Sequence, residues 1–253
     1  EEIKKSYPLP LHAFGDFLLR EYLQYLILRI IYDSGFASKL IFIGGTCLRI
    51  LHNNSRFSED LDFDIQGLTE KEWDQLAGLI REELIADGYQ AEVKMVHKGA
   101  WHCYIRFPGL LFGEGLSGYR EQKILIQLDA EAQHYSYQPQ LVLLNKFDIF
   151  TEVFAAPLPL ILAQKYYAIL NRVRNKGRDF FDVSFLLGMN IAPDWAYLEL
   201  KTGITNTPAL KSRLLAHCEK LDMEEMARDV APFLFRPQDA RRVTRFRELV
   251  EQL

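Results

Sequence analysis

Eight residues, SEDLDFDI at 58–65, leave the backbone one regular choice. Apolar Leu61, Phe63 and Ile65 alternate with Asp60, Asp62 and Asp64, and this period of two places the carboxylates on one face of a β-strand and the apolar side chains on the other. Aspartate is depleted in strands, and Lys, Glu or Thr would serve a merely solvated face with less loss of strand propensity. Same-face neighbours lie roughly 6.5–7 Å apart, close enough for two carboxylates to share hard divalent cations and to repel one another without them. Just upstream, LIFI at 40–43 reads as a buried strand, and GGTCLRILH at 44–52 as a glycine turn entering a helix. Glycines there let the backbone approach a phosphate, and the first N–H groups of a helix attract anions. Gly44-Gly45-Thr46 lacks the G-K-[ST] of a P-loop, so the phosphate signal rests on its conjunction with the aspartates.

The chain around this segment has two textures. Residues 12–35 have helical apolar spacing ending at Gly35, and Thr69 with Glu72 fits a capping box opening a helix that runs to Gly88. YQAEVKMVH, WHCYIRF and KILIQLDAE follow as strands, divided by a short turn and a glycine-rich loop. After Pro139 the helical patterns are LPLILAQKYYAILNRVR, RDFFDVSFLLG, TPALKSRLLAHCEKL and QDARRVTRFRELVEQL. The expected class is α+β, with a mixed-sheet core and leading helix over 1–145 and a helical lobe over 146–253.

A chain of 253 residues can bury a full core in one large domain or two lobes. No apolar run reaches membrane-spanning length, and the first residues lack a signal-peptide layout, so no membrane partner is expected. Cys47, Cys103 and Cys218 have neither disulfide nor zinc-site spacing, which fits a reducing, cytoplasmic location. The six histidines form no ligand motif, and Arg241, Arg242, Arg245 and Arg247 read as a solvated helix face. A net charge of −4 argues against indiscriminate nucleic-acid binding, although a local basic patch would be invisible in that sum.

GGTCLR at 44–49 and RFSEDLDF at 56–63 resemble the first motif of the AbiEii/AbiGii toxin group, within the nucleotidyltransferases of the DNA polymerase β superfamily. The resemblance implies a polymerase β-like nucleotidyltransferase core followed by a C-terminal helical lobe. It implies Asp60 and Asp62 as the metal-binding pair for Mg²⁺ or Mn²⁺, with Gly44, Gly45, Thr46 and Ser58 at the triphosphate of an NTP. Asp64 falls outside the D-x-D and reads as a strand-end residue. Superfamily members take a third metal carboxylate from a neighbouring strand, and Asp129, ending the apolar run of KILIQLDAE, is the candidate; its plainer reading is a residue beginning a turn. The later LAQKYYAILNRVRNKGRDFFD resembles the group's lysine and R-D-x-x-D motifs, which implies catalytic roles for Lys165 and for Asp179 or Asp182. The plainer reading of the two aspartates is complementation of a helix dipole.

The activity implied is transfer of a nucleotidyl group from an NTP to an RNA end, a tRNA end or a protein, with pyrophosphate released. The implied setting is a toxin of a bacterial toxin–antitoxin or phage-defence pair, opposed by a separately encoded antitoxin. Two rivals use the same residues: a metal-dependent phosphodiesterase or nuclease, and a nucleotide-binding module without turnover.

Overall fold

The computed structural model describes residues 2–253, which divide into two units, Glu1–Cys47 with Ser58–Ala155 and Leu48–Phe57 with Ala156–Leu253. In the first, the short helix α1 (Glu2–Lys5) and a 3₁₀ turn precede α2 (Gly15–Tyr32), then β1 (Leu40–Ile43), α3 (Gly44–His52), β2 (Leu61–Ile65) and α4 (Glu70–Ala86). The strands β3 (Glu92–Lys98), β4 (Ala100–Phe107), β5 (Ile124–Glu131), β6 (Gln140–Lys146) and β7 (Ile149–Ala155) complete it, with the one-turn helix α5 (Leu110–Gly113) in the glycine-rich loop. Among the described residues these strands form one seven-stranded sheet in the order β3-β4-β5-β2-β1-β7-β6. β2–β5 and β1–β7 are parallel and the remaining pairs antiparallel, so the sheet is mixed.

Each element follows from its residues. All four residues of LIFI are buried, as a central strand requires. α2 is apolar around most of its circumference, and its buried polar residues have work to do: Gln24 Nε2 donates to the carbonyls of Ser58 and Glu59 at 3.0 and 2.8 Å, fixing the approach to Asp60. α4 opens with the expected capping box, in which Glu72 N donates to Thr69 Oγ1 at 3.3 Å and Thr69 N to Glu72 Oε2 at 2.9 Å. Its Trp73, Leu76, Ile80 and Leu84 form a buried stripe at helical spacing. Thr69→Ala is expected to destabilise the protein by about 1 kcal/mol, read from urea unfolding followed by circular dichroism, because an orphan N–H loses its acceptor.

The second unit contains α6 (Leu158–Asn171), α7 (Gly177–Gly188), α8 (Trp195–Thr202), α9 (Thr207–Cys218), α10 (Met223–Val230), α11 (Arg241–Thr244) and α12 (Phe246–Val250). Its core includes Leu160, Tyr166, Phe180, Phe181, Tyr197, Leu214, Val230 and Phe246. Gly177 opens α7 where a Cβ would strike the carbonyl oxygen of Met226, so only glycine allows α7 and α10 to approach so closely. The connection at 53–57 belongs to this unit: Arg56 bridges Leu234, Phe57 N donates to Phe233 O at 2.8 Å and Phe235 N to Ser55 O at 3.3 Å.

Several expectations shift. Residues 146–155 complete the β6–β7 hairpin in the first unit, whereas 48–57 group with the helices. The hairpin is carried by the largely apolar LVLL and IFTEVF runs across a turn with Phe147 at φ 59. β2 begins at Leu61, so Asp60 precedes the strand. The stretch 238–253 is a 3₁₀ turn and two short helices, and α8 and α10 are additional. Among the described residues no helix is long and apolar enough to cross a membrane, and all three cysteines are free and buried.

Candidate functional site

In the first unit the glycine turn and the aspartate strand meet. Gly44 has φ +79, a left-handed conformation, and a Cβ there would collide with the carboxylate of Asp62. A glycine is thus required both by the backbone and by the carboxylate beside it. Ile43 stands opposite Asp62 in the β1–β2 ladder, which brings the turn to this position. Thr46 is fully buried and its hydroxyl donates to the carbonyl of Asp60, pinning the entry to β2. Asp60 and Asp62 are partly exposed, whereas Leu61 and Phe63 between and after them are buried. The Ser58 hydroxyl has no hydrogen-bond partner among the described residues, while its carbonyl is held by Gln24. Gly45 is buried at the start of α3.

Asp129 is brought into register with Asp62 across the parallel β2–β5 ladder, which places the two residues in adjacent strands roughly 4.8 Å apart. Its carboxylate is turned to its own neighbours: His102 Nδ1 lies 2.6 Å from Oδ1, and Gln127 Nε2 donates to both oxygens at 2.7 and 3.0 Å. Of the expected trio, Asp62 and Asp129 stand in register on adjacent strands and Asp60 lies ahead of β2; among the described residues no three His, Cys, Asp or Glu side chains are grouped closely enough to hold a metal ion. Asp62, against the bare Cα of Gly44, and Asp60 two residues before it carry the hard oxygen donors that Mg²⁺ or Mn²⁺ favours. His102 had no signal as a motif residue; only the β4–β5 register, pairing it with Asp129, reveals it.

Two neighbours take structural parts. Asp64 is buried and accepts from Gln133 N at 2.8 Å and Tyr137 Oη at 2.6 Å, tying β2 to the segment after β5. Burial, with the nearby charge of Asp62, pushes the Cys47 thiol far above the usual range, which disfavours the reactive thiolate.

The second unit gathers Lys165, Asp179 and Asp182 into a separate cluster. Lys165 Nζ lies 2.9 Å from Asp179 and 2.8 Å from Asp182, and Arg172 reaches Asp179 at 2.7 Å. Asp182 is wholly buried and accepts from Arg56 through Nε and Nη2, both at 2.7 Å, and from Asn54 Nδ2 at 2.8 Å. Burial would raise its carboxyl, but Arg56 and Lys165 outweigh it and hold the pKa down to about 2. For Lys165 burial opposes the charge, and Asp179 and Asp182 more than offset it, leaving the ammonium above its ordinary range. Arg56 heads the RFSEDLDF segment, where the sequence assigns it no role.

Gly44→Ala tests the turn. An alanine in the left-handed region costs about 1–2 kcal/mol, and its methyl must also displace the Asp62 carboxylate. The expected result is a melting temperature lowered by about 2–8 °C together with loss of whatever activity depends on Asp62.

Residues 26–252 match the family described as nucleotidyl transferase AbiEii toxin, type IV TA system. Among solved structures, JHP933 from Helicobacter pylori is similar with a TM-score of 0.55 at 18% identity, over 93% of this chain and 92% of that one. A second H. pylori protein, assigned provisionally as a nucleotidyltransferase, is similar with a TM-score of 0.56 at 18% identity, over 93% and 94%. At that identity the likeness establishes a shared fold. No curated protein matches the chain.

Proposed function

We propose, from the premise that the chain belongs to the AbiEii family of nucleotidyl transferase toxins of type IV toxin–antitoxin systems, that it moves a nucleotidyl group from an NTP to a hydroxyl or phosphate acceptor and releases pyrophosphate. The single observation that supports this most is the fit of Gly44 to Asp62: a turn able to admit phosphate stands directly against a carboxylate of the D-x-D. Asp60 and Asp62 would hold Mg²⁺ or Mn²⁺, which when bound supplies positive charge to the phosphates and to the attacking oxygen.

The chain's own groups then do the positioning. The backbone at Gly44 and Gly45, at the head of α3, accepts the triphosphate, and the Ser58 hydroxyl is available to donate to a phosphate oxygen. Thr46 contributes through the Asp60 carbonyl that it holds. Gln127 and His102 hold the carboxylate of Asp129, whose residue stands in register with Asp62. For Lys165, Asp179 and Asp182 the matched charges support a positioning role within the helical unit, since the lysine is already opposed by two carboxylates. Family membership implies an antitoxin partner, and growth arrest relieved by that antitoxin is the cellular consequence of this reading.

The test is incubation with each α-³²P-labelled NTP, Mg²⁺ and total RNA or protein. Transfer of label to an acceptor with pyrophosphate release is expected. Cleavage of RNA without any NTP would assign the site to hydrolysis, and NTP-induced stabilisation without label transfer would make it a binding module.

A further inference from the structure

The net charge of −4 conceals an uneven division. Residues 48–57 and 156–253 carry 17 Lys and Arg against 12 Asp and Glu, a formal +5, whereas the first unit carries 13 against 22, a formal −9. The basic excess is concentrated in sequence. No acidic residue occurs between Glu152 and Asp179, and NRVRNKGR at 171–178 places four cations in eight residues.

This loop, between α6 and α7, is built to face outward. Asn175 is its anchor: Nδ2 donates to the Ile169 carbonyl at 2.6 Å and Oδ1 lies 3.2 Å from His217 Nε2. Gly177 N then donates to the Asp229 carboxylate at 2.8 Å, closing the loop onto α10. On either side of Asn175, Arg174 is exposed and Lys176 half-buried, and neither makes an ion pair or side-chain hydrogen bond among the described residues. Val173 is fully exposed, and Arg172, although joined to Asp179, leaves half of its side chain to solvent. One turn earlier, Tyr167 is 38% exposed, and Asn171 Nδ2 donates to its carbonyl at 3.0 Å. An exposed aromatic ring one helical turn before an anchored loop that carries unmatched cations offers the chemistry that a single nucleic-acid strand needs: a face on which bases stack and charges that replace its counterions.

We propose that residues 172–176 together with Tyr167 form the surface on which the helical unit binds the backbone of single-stranded RNA. That this RNA is the acceptor rests on the transferase reading, whereas the binding does not. Arg174 and Lys176 neutralise phosphates, and Tyr167 stacks on a base. Acidic proteins and anionic membranes share the charge preference but give the exposed tyrosine no base to stack on.

The experiment measures fluorescence anisotropy of a labelled, unstructured RNA of about 20 nucleotides with the full chain, without NTP, across a salt series. Arg174→Gln/Lys176→Gln is expected to weaken binding about tenfold or more at low salt and to make the slope of log K against log salt shallower by about 1.4, or about 0.7 per cation removed. Tyr167→Ala is expected to weaken binding about fivefold or more with the slope unchanged, since stacking releases no counterions. Lys71→Gln/Arg81→Gln, removing two exposed cations from α4, controls for net charge and should leave affinity within twofold. Lys176 is half-buried and the other positions are exposed, and unchanged melting temperatures establish that the variants fold. Wild-type affinity and slope in the loop variant overturn the proposal, as does equal loss in the control pair, or binding to phosphatidylserine vesicles with none to RNA. Label transfer to RNA by loop variants at the wild-type rate and KM likewise overturns the surface while leaving the transferase reading standing. Loop-dependent RNA binding with no label transfer by the wild type supports the surface and overturns that reading.

Discussion

Asp182→Asn is expected to destabilise the helical unit by about 3–5 kcal/mol, because it removes the anion that two buried cations share. Arg56 and Asp182 are both almost completely buried, at 2% and 0% side-chain exposure, so solvent does not screen the loss. The asparagine retains the shape of the aspartate and one acceptor oxygen, yet the buried guanidinium of Arg56 loses the carboxylate charge that it meets through two nitrogens. Lys165 suffers less, since Asp179 still faces it at 2.9 Å. Urea unfolding of the single variant measures the effect. Arg56→Met with Asp182→Leu should recover most of the stability, since removing both charges also removes their desolvation. A single variant as stable as the wild type would show that the pair contributes nothing.

The same network has a defined pH dependence. A carboxyl held at about 2 in the folded protein contributes stability that is fully present above its ordinary unfolded value near 4 and is lost as pH falls toward 2. Lys165 works in the opposite sense: its contribution is present below the ordinary lysine value and is lost as pH rises through its elevated folded one. Melting temperature against pH should therefore fall below about pH 4 less steeply in Asp182→Asn than in the wild type.

Local regularities made much of the fold legible. The period of two at 58–65, the all-apolar LIFI and the Thr69–Glu72 box are signals within single elements, and each appears where its chemistry places it. The β6–β7 hairpin was hidden because its outward face keeps Leu141, Leu143 and Phe150, so the runs lack the polar alternation that marks an exposed strand. What could not be read was pairing at a distance. Arg56 meets Asp182 across 126 residues, and His102 meets Asp129 only because β4 and β5 are in that register. Lys165 shows the consequence most sharply: as a motif lysine it is a cation awaiting a phosphate, but its surroundings present two carboxylates at salt-bridge distance. Its replacement by alanine should accordingly cost stability as well as turnover.

Asp62→Asn should lower label transfer from NTP by about 100-fold or more while leaving the fold intact. The substitution keeps the volume that lies against Gly44, so the turn is not disturbed. It also removes one of two carboxylates in register on adjacent parallel strands, and like charges directly opposite one another destabilise a sheet. Without divalent ions the variant should thus melt no lower than the wild type. With Mg²⁺ and NTP the wild type should gain stability by binding, about 2.7 kcal/mol at ligand a hundredfold above Kd, and the variant should gain far less. The two readouts separate the mechanism from a folding defect: lost transfer with an unchanged apo melting temperature and an abolished ligand-induced shift places Asp62 at the metal and the nucleotide. Transfer within threefold of the wild type, with the Mg²⁺ and NTP shift retained, would remove Asp62 from the reacting centre.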